Sequence, residues 1–206
     1  MKILRYKTLA MRVLSENEYA ERARVVFTAR VISEENAEFK GYRRVLVSAT
    51  LNRSGVRELV SSASTVAVVV YSCALRVSEQ IYSKPYTHTL ELRITVTVKS
   101  SKHLLNPLQL LNLLGSALSE VTNYLEREDE ARFLKISFEN SMFAEDMARL
   151  VATRVVLVYS NQLDLEDTVI TTMRSFETLH EYDLYVVLKT RSGELVKSSG
   201  VLWVFQ

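Results

Sequence analysis

Tyr86-Thr87-His88-Thr89-Leu90-Glu91-Leu92-Arg93-Ile94-Thr95-Val96-Thr97-Val98-Lys99 alternates without a break. Tyr86, His88, Leu90, Leu92, Ile94, Val96 and Val98 fall on one side, and the threonines, Glu91, Arg93 and Lys99 on the other. Successive side chains of a strand point to opposite faces, so this run reads as one long strand with a buried face and a wet face. Strands commonly hold about five or six residues, and this one is far longer. A long antiparallel sheet is therefore the expected frame.

Upstream, Val25, Phe27, Ala29 and Val31 alternate with Arg24, Thr28 and Arg30, and Tyr42–Leu51 repeats the pattern with Val45, Val47, Ala49 and Leu51. The polar stretch Ser33–Gly41 between them predicts a hairpin with a long loop. Asn52-Arg53-Ser54-Gly55 reads as a turn, Val56–Ser62 as a short helical turn, and Thr65–Val77 as a central strand apolar on both faces. The single cysteine, Cys73, falls inside that apolar run and is expected to be a buried small hydrophobe.

Downstream the period changes. Asn106 is a good N-cap and Pro107 suits the first helical position. Leu111, Leu114, Leu118, Val121 and Leu125 then recur at spacings of three and four, predicting an amphipathic helix over 107–127. Its apolar stripe is broad enough to lie across a sheet or against a second copy. Beyond it we expect a strand at Arg132–Phe138, a shorter helix over 141–151, a strand at Thr153–Ser160, one or two strands within Thr168–Thr190 and a closing strand at Leu195–Phe205. The fold class is thus α+β, predominantly antiparallel sheet with the 107–127 helix packed on it. The 206 residues suit one domain, 1–206, with a weak division into a β-rich 1–100 and an α+β 101–206.

Composition narrows the function classes. An apolar share of 48% supplies a core and 24% charged residues a wet surface. No apolar run reaches the roughly 18 residues of a membrane span, and no signal-peptide stretch follows Met1, so a cytoplasmic protein without a membrane partner is expected. One cysteine allows neither an internal disulfide nor a cysteine-based metal cluster. Five glycines and two prolines leave few places for a phosphate cradle, and no P-loop, dinucleotide or nucleophile-elbow motif is present, so no cofactor is expected. Arginine outnumbers lysine, which points weakly toward a thermophilic source.

The three histidines are the first candidates for chemistry. His88, on the apolar side of the long strand, reads as a partly buried histidine near a strand end. His103 lies in an exposed loop. His180 has Glu177, Glu181 and Asp183 within three residues, half of a metal site, but no second histidine is near it in sequence. Asp164, Glu166 and Asp167 lack the glycine and spacing of a calcium loop. Glu145 and Asp146 fall where acidic groups complement a helix dipole.

Charge is unevenly spread although the net charge is only +2. Basic residues dominate through residue 57 and acidic ones from Glu120 to Asp167. Arg22, Arg24 and Arg30 share a predicted strand face that Arg44 joins from the partner strand, with Arg43 beside it. Such a face suits phosphate contact or, more plainly, keeps a sheet face solvated. Opposed charged ends also suit head-to-tail association. The sequence alone therefore favours a non-catalytic structural or interaction subunit that self-associates or joins a protein partner, using Leu111, Leu114, Leu118, Val121 and Leu125 as its interaction helix. The alternatives are a nucleic-acid-binding protein using Arg22, Arg24, Arg30, Arg43 and Arg44, and a metal-dependent hydrolase around His180. No catalytic or metal-binding residue is assigned.

Overall fold

The computed structural model describes residues 4–32, 43–118, 126–177 and 179–199. A six-stranded sheet runs in sequence order, every neighbour antiparallel. Its strands are β1 (Arg22–Arg30), β2 (Arg44–Asn52), β3 (Gly55–Val70), β4 (Thr89–Ser100), β5 (Thr168–Phe176) and β6 (Leu184–Arg191). The helices are α1 (Leu4–Glu16), α2 (Ser72–Tyr82), α3 (Pro107–Ala117), α4 (Arg127–Glu139), α5 (Ala144–Val158) and α6 (Ser192–Ser199). None of them is long and apolar enough to cross a membrane.

Register explains the two faces. Val45, Ala63, Val96 and Thr171 lie side by side across β2 to β5 and point toward the helices. Leu92, Ile94, Val96 and Val98 all bury there, as the alternation of β4 requires, against Leu110, Leu111 and Leu114 of α3 and Val151, Ala152 and Val155 of α5. A second cluster gathers Ala10 and Leu14 of α1 with Val47, Ala49, Leu51 and Leu59. The opposite face carries hydroxyls and charges, among them Arg24, Glu91, Arg93, Lys99 and Arg174. The predicted first hairpin forms as β1–β2, and the Asn52–Gly55 turn forms with Gly55 at φ +130°, a conformation that side-chain-bearing residues rarely adopt.

Several expectations are corrected. The long strand begins at Thr89, so Tyr86–His88 lead into it. Val56–Ser62 belongs to β3 and forms no helical turn. Its serines serve the sheet: Ser61 Oγ donates to Leu105 O at 2.8 Å and Ser62 Oγ to Val96 O at 3.0 Å. The central strand does not run to Val77; it ends at Val70 and α2 follows. Cys73 is consequently exposed at the start of a helix, not buried in a strand. Arg132–Phe138 is helical within α4, whose first turn holds Glu128, Asp129 and Glu130, a placement that favours the helix dipole.

Thr153–Ser160 is not a strand. Helix α5 continues through it because Val151, Ala152, Val155 and Val156 recur at helical spacing and bury. Packing overrides the β preference of these valines. In place of a closing strand from Leu195, α6 starts at Ser192, and Glu194 accepts from Thr190 Oγ1 at 2.8 Å and from Arg191 N at 3.1 Å. That carboxylate satisfies groups a helix start leaves open, and these contacts hold its pKa below the usual range. Residues 200–206 lie outside the described part. The single helix expected over 107–127 is α3, which ends at Ala117; residues 119–125 lie outside the described part, and α4 starts at Arg127. The Asn106 cap is as expected, accepting from Leu108 N at 3.0 Å. Helix α1 had no sequence expectation at all.

Two buried hydroxyls at the helix–sheet interface have measurable consequences. Thr171 is fully buried and its Oγ1 has no hydrogen-bond partner. Thr171→Val removes that orphan polar group at nearly equal volume and is expected to raise stability by about 1 kcal/mol in chemical denaturation. Tyr159 is 3% exposed with an unpartnered hydroxyl, and burial pushes its pKa up to about 12. An unfolded tyrosine titrates near 10, so the folded state loses stability as pH rises from about 10 to about 12, by roughly 3 kcal/mol at most. Tyr159→Phe is expected to flatten that alkaline limb relative to the parent when unfolding is compared at about pH 9 and about pH 11.5.

Candidate active site

Strands β3, β4 and β5 share one end of the sheet, where Val70 pairs with Thr89 and Glu91 with Phe176. Three chain segments meet beyond it: the β3–α2 junction, the lead-in to β4 and the β5–β6 hairpin loop. Tyr71 N donates to His88 O at 3.0 Å, and Thr87 Oγ1 donates to Tyr71 O at 2.8 Å, which locks the first two together. Ser175, on the helix-facing side of β5, donates through Oγ to Glu177 Oε1 at 2.9 Å and so fixes the first residue of the loop.

A cavity of about 240 Å³ opens here, walled by Leu90, Leu92, Phe143, Met147 and Leu184, with Tyr71, Ser72, Cys73, Glu145, Glu177 and Tyr182 supplying polar atoms. Helices α2 and α5 both begin at its wall, and neither N-cap residue caps its helix with a side chain. The positive ends of two helix dipoles favour negative charge in this space, with Glu145 opposing them.

Aromatic rings line one side. Tyr71 lies 5.2 Å from the His88 ring and meets the His180 ring edge-on at 6.1 Å, and His180 stacks on Tyr182 at 5.1 Å. The Tyr71 hydroxyl is held above its usual pKa, first by burial and then by Cys73, Glu177 and Tyr182 nearby, with a hydrogen bond shared with Cys73. It therefore remains a neutral donor beside the thiol. Among the described residues, His88 Nε2 and Glu177 Oε2 at this end of the sheet are buried and have no hydrogen-bond partner. Buried polar groups are nearly always satisfied within a protein, so the open Glu177 oxygen at the cavity, and the open His88 nitrogen behind the Tyr71 ring, mark places where a ligand or water completes the bonding.

The candidates from sequence are distributed as follows. The cluster around His180 is divided: Glu177 faces the cavity, Asp183 pairs with Arg174, and Glu181 is exposed. Among the described residues, no three His, Cys, Asp or Glu side chains stand close enough to hold a metal ion. His103 is exposed, as expected. Asp164 pairs with Lys102 at 3.0 Å, Glu166 with Arg191 at 3.0 Å, and buried Asp167 accepts from Asp164 N at 2.9 Å, so all three shape a loop. Arg22, Arg24, Arg30 and Arg44 are exposed on β1 and β2, while Arg43 is half-buried and out of their register. Arg22 and Arg24 border a shallow hollow with Thr50, Arg57 and Glu58, and Arg30 stands about 26 Å along the strand from Arg22. Leu111 and Leu114 of the expected interaction helix are buried in this chain's own core, Leu118 packs at its edge, and Val121 and Leu125 lie outside the described residues.

Sequence reasoning passed over Tyr71 and Tyr182 and took Cys73 and His88 for structural residues. A usable signal was the Tyr71-Ser72-Cys73 step, where an apolar strand gives way to helical spacing.

An apolar hollow with a few convergent polar groups, one of them (Glu177) holding a buried and open atom, is the form of a small-molecule enzyme site. The chain belongs to the type I GTP cyclohydrolase folE2 family (GCHY-1), whose family model matches residues 1–186. It is 28% identical over 198 residues to the GTP cyclohydrolase MptA of Aeropyrum pernix, covering 92% of this chain and 69% of that protein. It is also 32% identical over 88 residues to the GTP cyclohydrolase MptA of Methanococcus vannielii, which is 42% of this chain and 28% of that protein. Membership in an enzyme family overturns the expectation of a non-catalytic structural or interaction subunit. The expectation failed because it relied on missing linear motifs, and this site is assembled from three separate segments.

Proposed function

We propose that this chain opens a ring of GTP by hydrolysis at the cavity between Tyr71, Cys73, Glu177 and Tyr182. The observation that carries the proposal is Glu177. Its Oε1 is held by Ser175 while its buried Oε2 is unpartnered beside a cavity of nucleotide-base dimensions. Adding water across a ring bond needs one group to take a proton from water and another to return a proton to the departing ring nitrogen. Glu177 and His88 are the titratable groups with open positions for those roles, Cys73 is an exposed thiol at the same place, and the Tyr71–His180–Tyr182 rings offer faces for a purine.

The test is incubation of the purified protein with GTP, following loss of the guanine absorbance and separating the products. Ring-opened product from the parent, and none from His88→Ala, is the expected result; intact GTP under all divalent-ion conditions tried would refute the proposal. Self-association remains part of this reading, because among the described residues no strand pairs with the outer edge of β1 or β6, and Val26, Phe27, Tyr185 and Val187 on them are exposed. A nucleic-acid partner finds no support in the family match.

A further inference from the structure

We infer that Arg174 and Asp183 form a positioning pair that holds the β5–β6 loop so that Glu177 and Tyr182 face the cavity; this rests on the GTP ring-opening reading above. Arg174 sits on the outer face of β5, opposite Tyr185 of β6, and Asp183 is the last loop residue before β6. Arg174 Nε and Nη2 donate to the same carboxylate oxygen, Asp183 Oδ2, at 2.8 and 2.6 Å. The guanidinium also lies 4.5 Å from the Phe176 ring and 5.3 Å from the Tyr185 ring, so three residues at the mouth of the hairpin converge on one cation.

The surroundings show why the pairing is directional. Arg93 of β4 lies directly across the ladder from Arg174 and also approaches Phe176, at 5.3 Å. Two like charges opposite one another destabilise a sheet. Asp183 offsets the second of them from the loop side, and Glu91 lies 3.8 Å from the first. The charge that offsets Arg174 is therefore carried by the loop itself, while Glu91 of β4 serves Arg93, so the loop is drawn to one position over the strand ends. On the other face of the same strand, Ser175 holds Glu177. The loop is thus fixed from both faces within three residues of β5. Neither Arg174 nor Asp183 lines the cavity, and neither touches the reacting groups, so their contribution is positional.

The experiment compares Asp183→Asn, Asp183→Glu and Glu177→Gln with the parent, reading kcat and KM for GTP and amide hydrogen exchange by mass spectrometry. Asp183→Asn keeps the shape and removes the charge. It is expected to lower kcat about tenfold with KM within about twofold, because displacement of a reacting group by a fraction of an ångström carries that order of penalty. Exchange should quicken over 177–183 while α3 and β4 stay unchanged. Asp183→Glu should recover kcat to within about threefold of the parent. A structural role alone would quicken exchange throughout the sheet and would not separate kcat from KM. Parent-like kcat and loop exchange in Asp183→Asn, with Glu177→Gln inactive, would overturn the positioning pair and leave the site intact. Full activity in Glu177→Gln would instead overturn the site. If no turnover is measurable in any form, unchanged loop exchange in Asp183→Asn overturns the pair on its own.

Discussion

Glu177→Gln is expected to lower the rate of GTP ring opening by about 10²- to 10⁴-fold, the range a positioned acid–base group commonly supplies. The substitution is nearly isosteric, and the amide oxygen can still accept from Ser175 Oγ, so the loop contact at 2.9 Å can be retained. What is lost is the ability of the other carboxylate oxygen to take or hold a proton. The variant should therefore fold like the parent, with an unfolding midpoint within a degree or two of it (about 0.5 kcal/mol or less). Any change in stability is expected to be a slight gain, because a buried carboxylate oxygen without a partner is costlier than a neutral amide. Loss of turnover together with unchanged or raised stability is the signature of a group kept for chemistry. A stability loss matching the loss of activity would instead make Glu177 a structural residue.

The frame of this protein was legible because the β1, β2 and β4 patterns are period-two runs that form strands, but the alternation of burial survives residue for residue only in β4: β2 is buried on both faces from Val47 to Leu51, and Phe27 of the edge strand β1 is exposed. The Asn106–Pro107 helix start was legible for the same kind of reason, since a cap is a local interaction. What could not be read locally was decided by distant contacts. Ser61 and Ser62 look like part of a short helical turn until β3 lies beside β4 and the Leu104–Leu105 segment, which accept their hydroxyls. The valines of α5 look like a strand until the sheet and α3 cover their helical face. The site was hidden more deeply. Tyr71, His88 and Glu177 are separated by long stretches of chain and come together only because β3, β4 and β5 end at the same level. His180 drew attention through its acidic neighbours, yet the folded loop sends Asp183 to Arg174 and keeps only Glu177 for the cavity.

Leu114→Ala is expected to destabilise the fold by about 2–5 kcal/mol, the largest stability effect of any single change considered. Leu114 is fully buried in α3, a helix of 11 residues, too short to be stable by itself in water. Its order therefore depends on the leucines it inserts between the β2–β3 surface and α5, where Leu114 sits with Leu110, Leu111, Val151 and Val155. Truncation to alanine removes that apolar surface and leaves a void that a packed interior closes only partly. Two controls on the same helix separate packing from propensity. Leu108→Ala, at a position 42% exposed, should cost no more than about 0.5 kcal/mol, and Asn106→Ala should cost about 1 kcal/mol through loss of the cap to Leu108 N. Urea unfolding of the three variants is the measurement. The order Leu114, then Asn106, then Leu108 would establish that α3 is held by the interior of its own chain. Equal losses at Leu108 and Leu114 would mean that the outward face of α3 is covered too, and a second copy of the chain would then have to be sought there.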